Sequence, residues 1–128
     1  MSTRKEVRDA FGEWLGTFAW DYFITVTFSS PRHPHHALST LQGVGKVIRR
    51  HSAGGLFLGS ELHINRTLHV HGLLQTVGRA NAFVEYALWS SLFNAFGRSE
   101  VRPVLSREAV SNYVSKYVTK ELTEWVMW

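Results

Sequence analysis

The sequence predicts an α+β fold: a central antiparallel sheet of about five strands flanked by helices, on the split β-α-β, ferredoxin-like plan. Three features predict it. Segments with apolar residues every three or four positions alternate with short runs rich in aromatic and β-branched residues, in the order α-β-α-β-β-α-β-α-β. Two of those runs are joined only by a short turn, and a hairpin forces antiparallel pairing. The chain has 128 residues, 45% hydrophobic and 19% charged, which suits one domain spanning 1–128 and excludes general disorder.

The elements follow in order. Val7, Phe11, Leu15 and Phe18 recur at helical spacing, so residues 4–18 read as a short amphipathic helix. Residues 20–28 (WDYFITVTF) read as a strand, with Tyr22, Ile24, Val26 and Phe28 on one face and Phe23, Thr25 and Thr27 on the other. Two prolines make residues 29–36 a loop. A helix over 37–50 points Leu38, Leu41, Val44 and Ile48 inward, although Gly43 and Gly45 each weaken it by up to about 1 kcal/mol. Gly54-Gly55 breaks the chain. Residues 56–64 and 68–75 form the hairpin, with its turn near Asn65-Arg66. An apolar helix over 80–96 stops at Gly97. Residues 101–105 make a short strand, placed at a sheet edge by Pro103. Ser106 caps a last helix running to about Leu122, and residues 125–128 close with a strand.

Lys and Arg number 14 against 10 Asp and Glu, a net charge of +4, which suits a polyanionic partner. Cysteine is absent, excluding disulfides, thiolate zinc sites and a Cys nucleophile. No apolar run approaches ~18 residues, and the N-terminal residues lack the apolar stretch of a signal peptide, so no membrane association is expected. No Walker motif is present.

The sharpest local signal is Glu61-Leu62-His63 followed by Leu68-His69-Val70-His71. On a strand, His69 and His71 share a face, about 7 Å apart. Glu61 joins them only if it pairs with an odd-numbered residue. The simplest such hairpin has the three-residue loop Asn65, Arg66 and Thr67, pairing Glu61 with His71 and His63 with His69. One carboxylate and two imidazoles leave open positions on a divalent ion. His63 is a further candidate ligand. The alternative is that these are ordinary strand histidines. His33, His35 and His36 read as a solvated loop, with DNA contact as the other reading.

The last helix carries Tyr113, Lys116, Tyr117 and Lys120 within one stripe, beside a second stripe of Val110, Val114, Val118 and Leu122. The valines dock the helix and the phenols and ammoniums lie along its boundary. A phenol is a poor nucleophile when neutral, and a nearby ammonium or metal favours the phenolate. The bland reading is a pair of aromatics at the core edge with solvated lysines.

Together, FITVTF, ELHINRTLHVHGLLQ and YVSKYVTK resemble, in order, the three motifs of HUH endonucleases of the rolling-circle replication initiator type. The resemblance runs from about Trp20 to Lys120. It implies a nicking-joining domain with Glu61, His69 and His71 as ligands of Mn²⁺ or Mg²⁺. The hairpin is similar to that of initiators of circular single-stranded DNA viruses, and the paired tyrosines to the two-tyrosine class of phage and plasmid initiators and some transposases. Tyr117 is then the first nucleophile and Tyr113 its partner, forming a 5′-phosphotyrosine and a free 3′-OH, with Lys116 and Lys120 positioning phosphate oxygens. Arg32, Arg49, Arg50 and Arg66 are candidates for tracking the DNA backbone. The implied partners are single-stranded DNA at an origin or hairpin, and a host polymerase and helicase. The implied location is the cytoplasm of a bacterial or archaeal host, with a phage or plasmid gene. The alternatives are a two-tyrosine transposase, a non-catalytic nucleic-acid-binding module, and a metal hydrolase using water.

Overall fold

A computed structural model describes residues 4–62, 67–76, 82–114 and 122–128. Its elements are α1 (Arg4–Gly16), β1 (Tyr22–Thr27), α2 (Ala37–Arg49), β2 (Leu56–Leu62), β3 (Leu68–Leu74), α3 (Ala82–Phe96), β4 (Ser99–Pro103), α4 (Arg107–Tyr113) and β5 (Leu122–Met127), with a 3-10 turn at Pro34–His36 before α2. The strands form one antiparallel sheet in the order β4-β1-β3-β2-β5. The first four strands follow the split β-α-β order and β5 extends the β2 edge, so the predicted α+β sheet flanked by helices is the observed architecture.

Alternation along the strands divides the interior in two. Tyr22, Ile24 and Val26 of β1 and Val70 and Leu74 of β3 face a large core closed by α2 and α3 through Leu41, Val44, Ile48, Leu88 and Leu92. The odd-numbered positions of β1, β2 and β3 face the opposite side. There Phe57 and Leu73 pack under α1 and α4 with Leu15, Trp20, Val110 and Val114. These helices cover only one end of that face, and the strand ends bearing Thr25, Glu61, His69 and His71 open into a cleft.

Several boundaries differ from expectation. In α2, Leu38 points outward at 46% exposure while Ala37 and Val47 are buried with Leu41, Val44 and Ile48. β4 begins two residues early, at Ser99. Gly97 adopts φ +117°, a left-handed conformation open to glycine, and turns α3 directly into the strand. The Trp89 indole then donates to the Ser99 carbonyl at 3.0 Å. That carbonyl points away from β1, and Pro103 has no N–H, so the outer side of this edge strand is blunted. Leu122 opens β5 rather than closing the last helix. Ser106 is the N-cap of α4, its Oγ accepting from the Ala109 N–H at 3.1 Å. Among the described residues no helix is long and apolar enough to cross a membrane.

Candidate functional site

The hairpin register is Glu61 opposite His69, Gly59 opposite His71 and Leu58 opposite Gly72. The expected pairing of Glu61 with His71, and with it that of His63 with His69, is therefore displaced by two residues, because five residues rather than three separate the strands. Side-chain size accounts for the shift. Leu58 lies over Gly72, where a Cβ would come within 2.6 Å of its methyl group. The His71 ring faces Gly59, which has no side chain to crowd it. A shift of two preserves the face, so Glu61, His69 and His71 still project to the same side.

On that side, His71 is 6% exposed and its Nε2 stands 2.8 Å from Glu61 Oε2. Glu61 Oε2 and both His71 ring nitrogens are sealed from solvent, and the close contact lacks hydrogen-bond alignment. His69 leans the other way, its Nδ1 3.5 Å from Thr27 Oγ1 on β1. A β-bulge in the β2–β5 pairing falls between Ser60 and Glu61, beside the carboxylate. Ser60 Oγ holds it, accepting from the Glu124 N–H at 3.1 Å and donating to the Glu124 carbonyl at 3.3 Å. Bulges of this kind re-aim neighbouring side chains.

Helix α4 closes the cleft from above. Val110 and Val114 anchor it, which turns Tyr113 toward the sheet. The Tyr113 ring lies 4.6 Å from Phe23 and 6.0 Å from His71, the latter edge-on at 75°. Its hydroxyl donates to the Ile24 carbonyl at 3.0 Å. The resulting cleft has a volume of about 590 Å³ and is lined by Glu61, His69, His71 and Tyr113 together.

The donor set suits a divalent ion in chemistry: one carboxylate and two imidazoles on one face, with polar atoms sealed from water and imperfectly aligned to each other. As the side chains lie, no three His, Asp or Glu groups among the described residues converge on one point. Coordination requires His69 to release Thr27 and Glu61 to share its oxygen with more than His71.

The other predicted residues fall in different places. Tyr117, Lys116, Lys120, His63 and Arg66 lie outside the described residues. Arg49 is at the C-terminal end of α2, on the far side of the sheet, where its guanidinium donates to the Gly54 carbonyl at 3.1 Å. Arg50 follows it, exposed. Neither lines the cleft. Arg32 borders a separate cavity beside Phe28. His33, His35 and His36 are all exposed on a turn, with His33 and His35 stacked at 4.6 Å. The cleft also contains residues that the motifs did not single out: Thr25, Asn112, and Glu100 with Arg102 on β4, the last two 3.4 Å apart at the surface. Thr25 and Thr27 were visible as polar breaks in an apolar strand. Glu100 and Arg102 carried no such mark, since their position depends on the register of β4 with β1.

No protein-family model matches the chain, and no curated protein matches its sequence. The likeness to HUH endonucleases thus rests on the three motifs.

Proposed function

We propose that this protein is a metal-dependent enzyme that nicks and joins single-stranded DNA by tyrosine transesterification, serving to initiate and terminate rolling-circle replication of a phage or plasmid. One observation carries the reading: Glu61, His69, His71 and Tyr113 line a single cleft on one face of the sheet, under a helix whose sequence continues into Lys116, Tyr117 and Lys120. Had Tyr113 and the histidines faced opposite sides, no phosphodiester could meet both.

Glu61, His69 and His71 would hold a divalent ion, Mn²⁺ or Mg²⁺, which when bound would polarise the scissile phosphate. The chain's own groups do the rest. The Tyr117 oxygen attacks phosphorus and gives up its proton. The P–O3′ bond breaks, the 3′ oxygen takes a proton, and the 5′ phosphate stays on tyrosine. One phosphodiester is exchanged for another, so no nucleotide hydrolysis is required. Lys116 and Lys120 bind phosphate oxygens and favour the phenolate. Tyr113 takes the strand in a second transfer. Its hydroxyl donates to the Ile24 carbonyl and must leave that bond before it acts.

The close Glu61–His71 contact favours a second reading, in which the histidines are structural and the sheet binds nucleic acid without cutting it. A denaturing gel separates the two. Incubation with Mn²⁺ and end-labelled single-stranded oligonucleotides of random sequence should move label to the mobility of the protein, and the Tyr113→Phe, Tyr117→Phe double variant should abolish the band. Absence of a band, or its survival in the double variant, defeats the proposal.

A further inference from the structure

We propose that the cavity between the end of β1 and the start of α2 holds one nucleotide of the single strand, adjacent to the bond cut in the neighbouring cleft. The inference rests on the single-stranded DNA reading and extends it to a subsite.

The cavity has a volume of about 310 Å³, the lower end of the size of small-ligand sites, roughly 300 Å³. Its wall is two-sided in chemistry. Arg32, His36 and Thr40 supply hydrogen-bond donors, and among the described residues no acidic side chain lines it. Phe28 and Phe96 supply half-buried rings meeting edge-to-face at 5.6 Å. The Arg32 guanidinium carbon lies 5.0 Å over the Phe28 ring, which holds the cation at the mouth. The Ser39 hydroxyl donates to the His36 carbonyl at 3.1 Å and so braces the turn that carries His36. An apolar ligand would waste the cationic donors, and a free anion would make no use of the rings. A nucleotide uses both, its phosphate on Arg32 and its base on the phenylalanines.

Position supports the same occupant. Thr27 touches His69, which lines the cleft, while the next residue, Phe28, faces the cavity. The Leu68 N–H donates to the Arg32 carbonyl at 3.3 Å, and the next residue, His69, lines the cleft. Cavity and cleft thus lie close together across the ends of β1 and β3, linked by the Thr27–His69 contact and the Leu68–Arg32 hydrogen bond. A strand bound beside His69 and rounding the end of the sheet arrives at Arg32.

Gly43 makes the site testable without damaging the fold. A Cβ built there meets nothing within 4 Å, so Gly43→Leu fills the cavity from its floor without a backbone clash. Binding of a fluorescein-labelled oligothymidylate is followed by anisotropy in EDTA, where no cutting occurs, with thermal melting as the check on folding. Gly43→Leu and Arg32→Gln should each weaken binding about tenfold. Arg32→Gln should also reduce the salt slope by about one contact, and Gly43→Leu should leave it unchanged. Deoxythymidine monophosphate should compete better than inorganic phosphate. Affinities of both folded variants within twofold of the parent, no binding by the parent, or equal competition by phosphate would overturn the inference. Adduct formation by the parent is scored separately. Weaker binding by the variants with no adduct would keep the subsite and discard the nicking reaction.

Discussion

Replacing His71 with alanine should cost the ion-free protein about 3–4 kcal/mol. The imidazole is 8% exposed at its side chain and lies 2.8 Å from a carboxylate that is 18% exposed. Removing a polar neighbour from a mostly buried carboxylate costs about 2–3 kcal/mol. Loss of the edge-on contact with Tyr113 adds about 0.5–1 kcal/mol. For a chain of this size roughly 3–5 °C accompanies each kcal/mol, so melting in EDTA should fall by about 9–20 °C. Manganese then separates the structural role from the ligand role. At a hundredfold excess over its dissociation constant an ion adds about 2.7 kcal/mol to any state that binds it. The parent protein should gain that increment and the variant should gain none. A loss below about 1 kcal/mol in EDTA would refute the burial reasoning. An equal manganese gain in both proteins would refute the ligand assignment.

Other outcomes follow from the same geometry. Tyr113→Phe removes the hydrogen bond to the Ile24 carbonyl and keeps the ring contacts; urea unfolding should show a loss of about 1 kcal/mol, while covalent attachment through Tyr117 persists. Gly43→Ala should raise the melting temperature, by up to about 1 kcal/mol of helix propensity. Gly45→Ala should lower it, because its Cβ would collide with the Trp128 ring. Affinity for single-stranded DNA should fall with salt on a log–log plot, with a slope of about −0.7 for each phosphate contacted; a flat dependence measured by anisotropy would contradict cationic contacts such as Arg32.

Side-chain alternation told which residues share a face but not which residues oppose each other. That is why Glu61, His69 and His71 could be grouped from the sequence while their pairing came out two residues displaced. Any even shift keeps the face, and the choice among even shifts was made by Leu58 filling the space over Gly72 and by His71 finding Gly59 opposite, a matter of volumes across two strands. The Ser106 cap and the buried Val110 and Val114 were legible because capping and helical spacing are local. The start of β4 was not, since it depends on a single glycine dihedral and on the Trp89 indole reaching a strand ten residues on. Tyr113 could be placed on the boundary stripe of its helix. Its engagement with Ile24 and its contact with His71 depend on how the helix docks, which no single stretch of sequence encodes. For the same reason Arg49 and Arg50 read as candidates on charge alone, and the fold sets them on the far side of the sheet from the cleft.

The account stands on an ion and a tyrosine sharing one cleft. Paramagnetic broadening by substoichiometric Mn²⁺, read from the NMR signals of the folded protein, measures that directly. Resonances of Thr25, Thr27, His71 and Tyr113 should broaden first, with those of Leu88 and Leu92 on the far side of the sheet unaffected. Broadening centred instead on His33, His35 and His36, with Tyr113 sharp, would contradict it.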